Sequence, residues 1–216
     1  PEGAQKLKVW AYAADYYPNM FMWMVVQDRR GVLDTLTLGP MPEPGWTLME
    51  TTIPQHIEWP LSLVSVQIYE PVFGPSGTAG EMYLDDIHVE FGNGREPQIL
   101  DDFEGNNEWI PLATSMISTD TVGITKQAQH GGRQAGVFSF GVDTDQGVRG
   151  FYRSPSGVPI PAVASASFAR TNGVEVGQSI IVNMTGRLLP VRIMDTVDYF
   201  PTMNPTENGF LLVDLD

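Results

Sequence analysis

The chain has 216 residues, 42% hydrophobic and 10% aromatic, enough to build a sizeable core and to exclude global disorder. Its 26 acidic and 12 basic residues leave a net charge of −14, which argues against nucleic acid and anionic lipid as partners. It has no cysteine, so a thiol nucleophile, a zinc–thiolate site, an iron–sulfur cluster and a disulfide framework are all excluded.

The first elements have strand grammar. Residues 7–12 (LKVWAY) predict a strand, and the apolar run 20–26 (MFMWMVV) is far too short to span a bilayer. In that run Met20, Met22 and Met24 alternate with Phe21, Trp23 and Val25, so the strand is apolar on both faces. Residues 32–38, 46–53, 61–69 and 81–91 continue the series, as do 99–103, 122–127, 134–141 and 147–153. Gly and Pro clusters at 39–40, 42–45, 74–80 and 92–94 punctuate these runs. Many short strands with almost no helical period predict a mainly β chain, with an antiparallel β-sandwich of jelly-roll type over 1–154. Residues 155–161 (PSGVPIP) read as a linker. Beyond it, 162–172 predicts a helix closed by Asn172-Gly173, and 178–184 with 188–196 predicts a hairpin about Thr185-Gly186. Residues 159–216 thus form a small α+β subdomain. No leader pattern is visible, and a chain opening on Pro1 and closing on LLVDLD reads as part of a longer protein.

The segment 80–94 (GEMYLDDIHVEFGNG) resembles the closing strand of jelly rolls of the carbohydrate-binding-module kind. ILDDFEGNNEW at 99–109 and HGGRQAGVFSF at 130–140 resemble the opening of such a domain. The closing half therefore precedes the opening half. Either the sandwich is permuted, or two half-domains meet near 93–98; a single sandwich built from both halves is expected, since each half alone leaves a sheet face unburied.

Carboxylates cluster at Asp85-Asp86 and at Asp101-Asp102 with Glu104. Hard cations want several oxygens at close range, which makes a structural calcium one reading. Neighbours on a strand point to opposite faces, so Asp85 and Asp86 cannot both serve one site. Strict alternation puts Asp85 with Tyr83, Ile87, Val89 and Phe91, where a buried carboxylate needs a metal or a backbone N–H. The resemblance to calcium-holding jelly rolls nominates Asp85, Asp102 and Glu104 as the ligands. The simpler reading has these acids capping turns in water. A glycosidase pair would need a cleft and a set separation, and the sequence indicates neither.

His56, His88 and His130 are scattered without metal-ligand spacing, and structural or surface roles fit them. No nucleophile elbow occurs: ahead of Ser139 and Gly141, Val137 stands where the first glycine would be. No phosphate-binding glycine loop occurs either, so no catalytic residue and no ATP site are assigned. Trp10, Trp23, Trp46, Trp59 and Trp109 fall among the strands, and Tyr16-Tyr17 sit in a loop beside Pro18. Core packing explains most of them: Trp10 shares parity with Tyr12, and Trp109 follows the DFEG strand. Sugar-binding sandwiches stack rings on exposed aromatics, which nominates Tyr16, Tyr17 and Trp23 as ligand-binding residues.

Residues 174–216 carry a Val-Gly turn after the helix, Gly-Arg between two strands, Asp-Tyr-Phe-Pro-Thr and a terminal apolar strand. In this order they resemble the extracytoplasmic domain of MacB/FtsX-type ABC transporter permeases. The resemblance implies a non-catalytic domain on the extracytoplasmic side of the bacterial cell membrane. It would be coupled to the permease transmembrane helices and a cytoplasmic ATPase, and would engage a glycan, lipid or protein ligand. The alternative is a secreted carbohydrate-binding module.

Overall fold

The computed structural model describes residues 2–69, 79–92, 94–105, 108–113, 120–141, 148–153, 159–184, 187–201, 203 and 209–213. The chain divides into two units, one of Pro1–Ala113 and Ser118–Pro155, the other built on Ser156–Asp216.

The first unit is a sandwich of two antiparallel sheets. Its strands are β1 (Lys6–Ala13), β2 (Phe21–Gln27), β3 (Leu33–Pro40), β4 (Gly45–Thr52), β5 (Ser62–Tyr69) and β6 (Gly80–Glu90). They continue with β7 (Gln98–Asp101), β8 (Ile110–Ala113), β9 (Thr121–Thr125), β10 (Ala135–Phe140) and β11 (Val148–Tyr152). One sheet runs β4-β1-β6-β10-β9, with β7 also paired to β6; the other runs β3-β2-β5-β11-β8. Strands from before and after residues 93–98 pair in both sheets, β6 with β10 and β5 with β11, so the two halves of the sequence form one sandwich. β8 went unforeseen, because four residues beginning Ile-Pro give too short a pattern to read.

Alternation explains which side chains meet between the sheets. Leu7, Val9, Ala11 and Ala13 of β1 face Met22, Met24, Val66, Ile68, Phe138 and Phe151 in one apolar cluster. Each large side chain buried this way contributes about 1.5–3 kcal/mol relative to exposure. Trp109 is buried at its edge and donates its indole N–H to Asp101 at 2.9 Å.

One irregularity decides what the outside of the first sheet carries. The β1–β6 register shifts between Lys8, opposite His88, and Trp10, opposite Asp85. Two residues, Asp86 and Ile87, thus oppose Val9, and Asp86 takes a positive φ of 46°. Alternation flips at this bulge: Met82 and Leu84 face the core before it, Ile87, Val89 and Phe91 after it. Strict alternation had grouped Asp85 with Ile87 and Val89. Asp85 is buried, at 1% exposure, but on the opposite, outer face.

The second unit has β12 (Ile160–Ser165), α1 (Ala166–Asn172), β13 (Ser179–Met184), β14 (Arg187–Val197) and β15 (Leu211–Val213), ordered β13-β14-β12-β15. β12 and β14 are parallel; the other pairs are antiparallel. The helix is shorter than expected, because Ala162 and Ala164 are buried in a central strand. Small residues suit that strand as well as they suit a helix, so composition misled. Ser165 caps α1 through its Oγ, and Gly173 ends it at φ 62°. Most of the linker at 155–161, the Thr185-Gly186 turn, Thr202 and most of the 74–80 cluster lie outside the described residues.

Candidate ligand-binding face

The three acids nominated for calcium do not converge on one point. Asp85 Oδ2 accepts the backbone N–H of His130 at 2.9 Å and of Gly131 at 3.0 Å, while Oδ1 accepts from Asp86 N at 2.9 Å. Glu104 accepts from Arg133 N, from Gln134 N at 2.9 Å and from Arg133 Nε at 3.2 Å. Asp102 is exposed and accepts from Glu104 N at 3.1 Å. The two acid motifs thus meet at one loop, 130–134, and hold its amides. Among the described residues no group of three or more His, Cys, Asp or Glu side chains could hold a metal ion. Burial pushes the Asp85 carboxyl up against the pull of the three N–H bonds, whereas the Arg133 and Gln134 amides hold Glu104 below its usual range.

The loop that Asp85 fixes completes an aromatic surface. On the outer face of the first sheet, Trp46 of β4 lies opposite Tyr12 of β1, and Tyr12 lies opposite Tyr83 of β6. Their rings meet edge to face, at 5.6 Å between Trp46 and Tyr12 and 5.5 Å between Tyr12 and Tyr83. The row spans two strand spacings, about 10 Å. Register extends it to Val137 of β10 and Gly123 of β9. A Cβ built at Gly123 would meet only Val137 Cγ1, at 3.7 Å, so large rings give way to open space at that end.

Two flanks border this row. On one side the His130 ring stacks on Trp10 at 3.7 Å and 15°, lies edge-on to Trp46 at 5.7 Å, and approaches Asp86 Oδ2 at 3.3 Å. On the other side stands Glu81, exposed at the surface. Its Oε2 accepts the Tyr83 hydroxyl at 2.6 Å and its Oε1 accepts the Ser139 hydroxyl at 3.1 Å. The bond to Glu81, with burial behind it, pushes the Tyr83 hydroxyl up to about 12. Among the described residues no cation pairs with Glu81. Of the two lysines that β1 places on this face, Lys8 is held between Glu50 at 3.0 Å and Glu90 at 2.8 Å, and Lys6 is bonded to Glu50.

The aromatic residues nominated from sequence lie elsewhere. Tyr16 is 60% exposed in the β1–β2 loop. Tyr17 is a core residue, edge-on to Phe140 at 5.5 Å, with its hydroxyl where a Gly80 side chain would otherwise stand. At 7% exposure it lies under the sandwich edge. Trp23 is half-buried on the second sheet, stacked on Tyr69 at 5.2 Å with its indole N–H on Gln67. The residues missed were Trp46, Tyr12, Tyr83 and Glu81. Parity within β1 and β6 carried part of the signal; the cross-strand register that joins them did not show.

A separate cavity of about 470 Å³ lies where β1 begins and β4 ends, lined by Gln5, Ile53, Pro54, Gln55 and Trp59 among others. None of its lining side chains titrates, so it supplies no acid–base pair. No helix among the described residues is long and apolar enough to cross a membrane. Comparison with protein-family models, with curated proteins and with solved structures finds no match.

Proposed function

We propose that this chain is a non-catalytic binding module whose jelly-roll-like sandwich takes a carbohydrate on the outer face of its first sheet. The observation that carries the reading is the Trp46–Tyr12–Tyr83 row, bordered by hydrogen-bonding groups on both sides. Sugar rings present an apolar C–H face and a rim of hydroxyls. An aromatic floor with Glu81, Ser139 and His130 at its margins offers a partner to each. The row crosses the strands, so an extended glycan would lie perpendicular to them.

The test is binding to a panel of polysaccharides and oligosaccharides. Trp46→Ala should weaken binding at least tenfold while the melting temperature changes little. Gly123→Trp, which places a ring in open space, should block the same ligands. Binding that survives both substitutions would place the site elsewhere.

A second reading is the outward-facing domain of a bacterial ABC-type permease, served by a cytoplasmic ATPase. It draws on the resemblance of residues 174–216 and on the apolar exposure of Tyr199 (68%), Phe200 (36%) and Met203 (41%) after β14. The two readings are compatible, one resting on the first unit and the other on the second. Several hydrophobic spans in the parent gene would support the permease reading; their absence would remove it.

A further inference from the structure

Resting on the reading of the first sheet's outer face as a glycan site, we propose that Glu81 is its specificity-determining residue. Its carboxylate takes two adjacent hydroxyls of a neutral sugar whose apolar face lies on Trp46 and Tyr12, the half-buried rings of the row, with Tyr83 buried beside them.

An ionised carboxylate has about four acceptor positions over two oxygens. The Tyr83 and Ser139 hydroxyls take one on each oxygen, which fixes the group's orientation and leaves an acceptor free on each. Two neighbouring acceptors on a planar group match two neighbouring O–H donors, in the way that paired contacts give carboxylate recognition its geometric selectivity. The same bond pushes the Tyr83 hydroxyl up, and a tyrosine is protonated at neutral pH in any case, so it stays a donor to Glu81. Glu81 belongs to β6, which pairs with β1 and β10 on its two sides, so the acceptor stands on a rigid element.

Charge selects the class of sugar. A uronate or sulfated glycan would bring its anion to Glu81 and to Asp86 on the other flank. Lys8 is committed to Glu50 and Glu90, Lys6 to Glu50 and Arg133 to Glu104, and the chain carries −14 overall. Like charges near a surface repel, so anionic glycans are rejected where neutral ones are accepted.

The experiment is isothermal titration of the 216-residue chain with neutral oligosaccharides (gluco-, xylo-, manno- and galacto-series) and with oligogalacturonate and oligoalginate. Wild type, Glu81→Gln, Ser139→Ala and Trp46→Ala are compared, each with a thermal melt. The expected result is neutral binding that Glu81→Gln weakens about tenfold or more, with Ser139→Ala intermediate and anionic sugars failing on wild type. Affinity unchanged in Glu81→Gln while Trp46→Ala abolishes binding would keep the face and overturn the role of Glu81. Preference for oligogalacturonate or oligoalginate would overturn the neutral class. Neutral binding indifferent to Trp46→Ala, or no binding by wild type, would overturn the glycan reading itself and this proposal with it. If Glu81→Gln melts early, Ser139→Ala decides: unchanged affinity there overturns the proposal.

Discussion

Asp120 and Arg149 show how tightly this acidic chain commits its carboxylates. Their side chains are 0% and 6% exposed, and Arg149 donates Nε to Asp120 Oδ2 at 2.9 Å and a second N–H to the Gly141 carbonyl at 2.7 Å. Gly141 N donates to Asp120 Oδ1 at 3.2 Å, so the pair also ties down the end of β10. Removing one partner strands a charge in a dry site. Arg149→Ala should cost about 3–5 kcal/mol in urea unfolding, and replacing both residues by apolar ones of similar size much less. A single-mutant loss below about 1 kcal/mol would mean that the pair behaves as a solvated surface one. Asp101 does similar work, accepting from Phe103 N, Trp109 Nε1 and Arg153 within 3.0 Å. The acid pair in DDFEG therefore divides, with Asp101 turned to structure and Asp102 to solvent.

Strands were legible where alternation was long, and this holds for β1, β5, β6 and β10. What could not be read was the pairing that gives those strands a common face. Trp46, Tyr12 and Tyr83 are far apart in sequence and meet only through the β4–β1–β6 register. The bulge at Asp86 added a second obstacle, since one extra residue reverses every later side chain of β6. Gly150 marks another close fit between strands, in β11. It has φ 143°, and a Cβ there would stand 2.3 Å from the Val66 carbonyl oxygen of β5. Gly150→Ala should destabilise the sandwich by about 1–3 kcal/mol through backbone strain, and by more if β5 cannot shift. A chemical melt matching wild type would show that the two strands are less closely seated. In the second unit, Ser165 Oγ accepts from Phe168 N at 3.1 Å and from Phe210 N at 3.0 Å, joining the helix start to the segment before β15. Ser at a strand–helix junction was legible as a cap in principle; the strand preceding it was not.

Taken whole, the molecule spends much of its acidity on scaffolding and leaves an aromatic row on one sheet, half-buried at Trp46 and Tyr12 and buried at Tyr83. Asp85 and Glu104 hold the 130–134 loop, and that loop places His130 against Trp10 and Trp46. The carboxylates first suspected of binding a cation thus position a wall of the aromatic face. The face is the central claim, and its five-tryptophan chain offers a direct probe. Two-dimensional NMR of the indole N–H signals, recorded while a neutral oligosaccharide that binds is added, would test it. Trp46 and Trp10 should shift with increasing ligand, while Trp109, bonded to Asp101, and Trp23, bonded to Gln67, stay fixed. Shifts confined to Trp23, Trp59 or Trp109, with Trp46 and Trp10 unmoved, would contradict it.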